Sequence, residues 1–209
     1  MDWFRQVNAY CERTDASYWS EPVNALTNLA FLVAAWALWR LARRRGALDG
    51  GAWALILIVA AIGAGSFAFH TLATRTAMLA DVIPILIFQL AWLWLYLRRL
   101  VGWDGLTAAL PVGGYLALTF LMAAAPLGGS AMYLPALVVL LVIGAWHARA
   151  ARPGRFDLIA AGGVLAVSLG FRTIDQQICP GFPLGTHFLW HLLNGLVLYL
   201  AARPILLRP

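Results

Sequence analysis

The sequence predicts an all-α protein, an integral membrane bundle of seven transmembrane helices. Three observations predict it: 62% of the 209 residues are hydrophobic, only 11% are charged, and the apolar residues gather into seven runs of membrane-spanning length. A typical soluble domain carries roughly 25% charged residues. With so few charges a soluble chain could not cover its surface, so the apolar excess faces lipid. Each helical span needs about 20 apolar residues, and seven of them leave no room for a separate soluble domain.

The chain divides into a polar segment at 1–23 and a transmembrane domain at 24–209. The polar segment lacks the basic start and apolar core of a signal peptide and is expected to remain in the mature protein. The spans are predicted at 24–41, 52–73, 77–97, 105–124, 131–147, 157–174 and 186–203,. Turn chemistry separates them: Arg43 to Gly46, Gly50 and Gly51, Pro126 to Gly129, Pro153 with Gly154, and Pro180 to Gly185,. The break at Ala73 to Thr76 is so short that the second and third spans must form a tight antiparallel hairpin.

Every basic residue is arginine. Arg40, Arg43, Arg44, Arg45, Arg98, Arg99, Arg149, Arg152, Arg155, Arg203 and Arg208 lie at alternate span ends, while Arg5, Arg13, Arg75 and Arg172 lie at the others. Eleven against four places the C-terminus in the cytoplasm and the N-terminus outside. The net charge of +6 is then a signal of orientation and of lipid headgroups, not of a nucleic-acid partner. Cys11 and Cys179 both fall on the outer side, where they either pair or stand as two unrelated thiols,.

Against so apolar a background, ionisable groups near span ends are expensive unless partnered, and so are informative. Ser66 and His70 lie four apart near the outer end of span two, Asp81 near the outer end of span three, and His187 and His191 four apart at the outer end of span seven. Taken singly, each has an ordinary explanation: an interfacial histidine, a helix-capping aspartate, a serine bonded to its own helix. Together they put three of the four histidines and an intramembrane acid at one bilayer depth. Residues four apart share a helix face, so three imidazoles can take three corners of a zinc tetrahedron and leave the fourth open, as in catalytic zinc sites. Asp81 would then exchange protons, and Ser66 would stabilise an oxyanion or orient water. His147, beside Arg149, is read as a solvated interfacial residue. Glu12, Asp15 and Glu21 in the polar segment are either a solvated acidic loop or oxygen ligands suited to calcium.

These residues resemble the alkaline ceramidases. YCER followed by EPVNALTN is similar to the family's CE and E-x-x-N elements, GSFAFH followed eleven residues later by Asp81 to its S-x-x-x-H and aspartate elements, and HFLWH to its closing H-x-x-x-H. The last three elements are shared with progestin and adiponectin receptor-like proteins. The resemblance implies a seven-helix fold, zinc on His70, His187 and His191, roles for Ser66 and Asp81, a Cys11–Cys179 disulfide, and hydrolysis of ceramide to a sphingoid base and a fatty acid. It also implies a calcium ion on the N-terminal segment, with Glu12 and Glu21 at ligand positions. The sequence departs from the pattern there: Ala9 and Tyr10 stand where an acidic–aromatic pair is expected, and Thr14 where an asparagine is. Asp15 is left as the further oxygen donor. The expected function is a zinc-dependent amidase acting on a membrane lipid. The alternative is a lipid-sensing receptor with a structural zinc; a transporter is disfavoured because the polar groups gather at one end.

Overall fold

The computed structural model describes residues 2–125 and 129–207. Arg208 and the Pro126 end of the fourth break lie outside them. Seven helical stretches are long and apolar enough to cross a membrane. The first is built from α1 (Pro22–Thr27) and α2 (Leu29–Arg45), and α3 (Gly50–Leu72) and α4 (Arg75–Tyr96) follow. A π-helical turn at Leu97–Val101 extends α4, and then come α5 (Gly105–Ala123), α6 (Leu134–Arg149) with a 3₁₀ turn before it at Ala131–Tyr133, α7 (Asp157–Ile178) and α8 (His187–Leu206).

Helix starts are set by short polar side chains that accept the unpaired N–H groups of the first turn. Asp49 accepts from Ala52 N at α3, Thr74 from Ala77 N at α4, and Asp104 from Leu106 and Thr107 N at α5. The first span is not one helix: Asn28 turns its amide back onto the Asn24 carbonyl at 2.9 Å, and the break lets α1 lean over α3 and α8.

α8 is the hub of the bundle. Of its spanning window 61% is buried, against 17% for α4 and α5, which leave most of their surface to lipid. It packs on α7 and α2, and Gly195 permits the second contact because a Cβ there would lie 3.0 Å from the Ala30 carbonyl oxygen. The α3–α4 hairpin closes even more tightly. A Cβ on Gly65 would lie 2.7 Å from the Ala80 carbonyl carbon and closer still to its oxygen. That approach puts Ser66 and Asp81, each the next residue, side by side.

At the far end of the bundle, arginines lie over aromatic rings of their own or neighbouring turns: Arg40 on Trp36 at 4.8 Å, Arg43 on Trp39 at 5.4 Å and Arg152 on Trp146 at 4.5 Å. One expectation for this end is overturned. His147 is not solvated but fully buried, with Nε2–H donating to the Pro153 carbonyl at 3.0 Å and Nδ1 accepting from the Tyr96 hydroxyl at 2.8 Å. A carbonyl can only accept, which fixes that tautomer. Of its two partners Tyr96 comes from another span, 51 residues away, so the sequence around His147 did not announce its burial.

The polar segment folds back over the hairpin turn. Val7 N donates to the Ala73 carbonyl at 2.7 Å and Thr76 N to the Trp3 carbonyl at 3.2 Å. Cys11 and Cys179 form a disulfide that joins this segment to the end of α7 across 168 residues of sequence. Loss of a native disulfide typically costs roughly 2–5 kcal/mol. Cys179→Ser is therefore expected to lower the thermal unfolding midpoint in detergent, and reductant to do the same to the native protein. An unchanged midpoint in both would show that the bridge bears no load.

Candidate active site

His70 occupies the last turn of α3, and His187 and His191 the first two turns of α8. All three are at most 2% exposed, and one nitrogen from each lies within 4.8 Å of the others. His70 Nε2, His187 Nδ1 and His191 Nε2 are buried with no hydrogen-bond partner. Orphaned buried nitrogens are costly. Three of them facing one another are accounted for by one shared ligand, and a soft-to-borderline cation that accepts imidazole nitrogen fits.

The outward nitrogens are held. His70 Nδ1 lies 2.6 Å from a Glu21 carboxylate oxygen, which accepts N–H and leaves Nε2 with a lone pair. Thr27 donates its hydroxyl proton to the Val23 carbonyl at 2.8 Å, so its oxygen accepts from His191 Nδ1–H at 2.9 Å. Carboxylate or hydroxyl partners of this kind set the tautomer and aim of metal-binding histidines. The break at Asn28 brings Thr27 and Glu21 within reach, which explains why the first span is bent.

His187 is aimed by packing and by its backbone. The Tyr10 ring stacks on it at 3.5 Å with the planes 14° apart. Asp175, 1% exposed, accepts from Thr186 N at 2.7 Å and His187 N at 2.9 Å, anchoring the start of α8, and from Cys11 N at 3.0 Å. Gly185, at φ +66°, is required here, because a Cβ would press into Asp175 and lie 2.7 Å from Cys11 Cβ,.

Ser66 is buried one turn from His70, and its hydroxyl lies close enough to the half-buried carboxylate of Asp81 to act on its charge. The guanidinium of Arg172 lies near enough for its charge to act on Asp81, Tyr10 and His187. It donates to Ser130 Oγ at 3.0 Å and sits over the Tyr133 and Trp190 rings. The structure thus unites the five residues picked from the two hairpin helices and the last span.

The three acids of the polar segment are not united. The Glu12 carboxylate accepts from Val23 N at 2.7 Å and Asn24 N at 2.8 Å, capping α1. Burial pushes its carboxyl above the usual range despite those two bonds. Asp15 is exposed and accepts from Ser17 N at 2.8 Å. Glu21 is turned to Arg13 and His70. Burial would raise its carboxyl, but His70, Arg13 and Asn24 together outweigh it and hold it low. Among the described residues, the histidine trio is the one group of three or more His, Cys, Asp or Glu side chains placed to hold a metal.

Sequence reading missed Tyr10, Arg13, Thr27, Arg172 and Asp175 as parts of the site. Arg172 and Asp175 carried a signal, being charged groups near the end of a span. Thr27 and Tyr10 carried none, since their role comes entirely from residues far away in sequence.

Beside the histidines, an apolar cavity runs into the bundle, lined by Phe31, Phe88, Trp92, Tyr133, Trp190 and Leu198 among others. The Phe31 ring centroid is 6.2 Å from that of His191, so the cavity adjoins the trio. Such a site, a buried histidine trio beside an apolar cavity inside a seven-helix membrane bundle, fits the class of membrane enzymes that act on lipids. The sequence matches the family described as Ceramidase over residues 8–206. The chain belongs to that family and is an amide-hydrolysing enzyme; this decides against the receptor alternative. No curated protein matches the sequence.

Proposed function

We propose that the protein is a zinc-dependent intramembrane amidase that hydrolyses ceramide or a closely similar N-acyl lipid. The observation that supports it best is the three converging, unpartnered nitrogens of His70, His187 and His191 beside the Ser66–Asp81 pair. When bound, zinc supplies Lewis acidity, which eases loss of a proton from water at neutral pH. Asp81 accepts that proton as water adds to the amide carbon. It then gives the proton to the departing nitrogen as the C–N bond breaks, leaving a carboxylic acid and an amine. Ser66, whose hydroxyl lies beside the Asp81 carboxylate, keeps it turned toward the histidines and so acts as a positioning residue. The apolar cavity receives one long chain of the lipid, while the amide stays near the span ends. The arginine-rich end opposite the site supports the orientation read from the sequence, with the site on the non-cytoplasmic side. The polar segment at 1–23 is then a cover over the site.

Stripping the protein with a zinc chelator is expected to abolish fatty-acid release from an N-acyl sphingoid base, and added Zn²⁺ to restore it. His187→Ala is expected to remain inactive after the same addition. Full turnover by metal-free protein would rule out the reading.

A further inference from the structure

The buried side chain of Arg13 is not explained by the site as described so far. It is 5% exposed, yet it belongs to the polar segment and not to a span. An arginine cannot shed its charge, so its burial demands acceptors on every side. They are present. Nε donates to Glu21 Oε1 at 2.5 Å, Nη1 to the carbonyls of Asp15 at 3.2 Å and Ser17 at 3.4 Å, and Nη2 to the carbonyl of His70 at 2.9 Å. Every acceptor is an oxygen, and one is the backbone of a histidine in the trio.

This oxygen-lined position is the kind that a hard divalent cation would take. The family resemblance places calcium on this segment, but the residues do not fit it. Glu12 is committed to the N–H groups of α1, Asp15 faces solvent, and Glu21 holds a guanidinium on one oxygen and His70 on the other. A calcium ion at Glu21 and the guanidinium would repel each other across a few ångströms of low-dielectric interior.

We propose that the Arg13 guanidinium is the resident cation of this site, taking the place of calcium, and that it positions Glu21 against His70. The charge of Glu21 is balanced by Arg13, which frees its other oxygen to orient the His70 ring. The bond from Nη2 to the His70 carbonyl fixes the same residue from its backbone. The planar fork matters as well as the charge, because a lysine ammonium cannot span four acceptors spread over two loop carbonyls, a carboxylate and a helix end.

The inference rests on the metal-centre reading, and the test separates the two. Zinc-loaded protein is dialysed against CaCl₂ up to about 1 mM, the weak end of protein calcium sites. No bound calcium and an unmoved thermal midpoint are expected; one calcium per chain would overturn the proposal. In parallel, the zinc is replaced by Co²⁺, whose visible absorption reports the geometry of its ligands. Arg13→Gln is expected to alter the native spectrum and to weaken Co²⁺ binding by about 10–100-fold, the usual cost of losing support for a metal ligand. Arg13→Lys is expected to recover part of the affinity. A native spectrum and affinity in Arg13→Gln would overturn the positioning role. If the unsubstituted protein took up no Co²⁺ at all, the metal-centre reading itself would fail, and the positioning role with it.

Discussion

Asp81→Asn is expected to lower kcat for N-acyl lipid hydrolysis by about 10²–10⁴-fold, the range for removing a positioned general acid–base. The amide of asparagine matches the carboxylate in size and keeps an oxygen beside the Ser66 hydroxyl, so the hairpin is expected to fold and the histidine trio to keep its arrangement. What it cannot do is take a proton from water and return it to the departing nitrogen. The loss should therefore fall on kcat, with KM nearly unchanged, because the apolar cavity proposed to take the lipid chain lies on other residues,. Steady-state kinetics with metal analysis of the same sample checks this. Near-native kcat in a metal-loaded Asp81→Asn protein would exclude Asp81 as the proton carrier.

The second large effect is expected at a residue with no side chain. Gly65→Val places branched carbons where the Ala80 carbonyl group already sits, and neither helix backbone can yield locally, because both are held by their own hydrogen-bond ladders. α3 and α4 must move apart, carrying Ser66 from Asp81. A displacement of about 1 Å can cost on the order of 10²-fold in rate, and Gly65→Ala is expected to show that loss with a lowered midpoint. Gly65→Val is expected to fail in assembly of the hairpin and yield little folded protein. Gly163→Ala in α7, where a Cβ would meet nothing within 4 Å, is the control and is expected to be neutral. Equal activity in Gly65→Ala and Gly163→Ala would show that the close approach does not set the site.

The membrane class, the number of spans and the tightness of the second hairpin were legible in the sequence, because hydrophobicity and turn chemistry act over windows of a few to about 20 residues. The histidine trio, Ser66 and Asp81 were legible for a related reason. In a chain with so few polar residues inside spans, helical spacing and topology suffice to bring them to one end. Helix kinks were less visible. Asn28 breaks the first span by a local side-chain bond that any asparagine could form, and only contact with α3 and α8 makes that conformation the favoured one.

The sequence by itself determined that the protein is a seven-span membrane protein with three imidazoles at one end, since burial of apolar residues in lipid is read from composition and period alone. Only the tertiary structure decided how those imidazoles are held. Glu21, Thr27 and Tyr10 reach the trio from segments separated by dozens of residues, and no window of sequence contains both partners of those contacts; Asp175 lies 12 residues from His187 but also ties it to Cys11, 164 residues away. It likewise decided that His147 is a buried tie between α6 and α4, and that Glu12, Asp15 and Glu21 have separate duties. A carboxylate looks the same in sequence whether it caps a helix, faces water or neutralises a guanidinium; its partners, brought by folding, distinguish them.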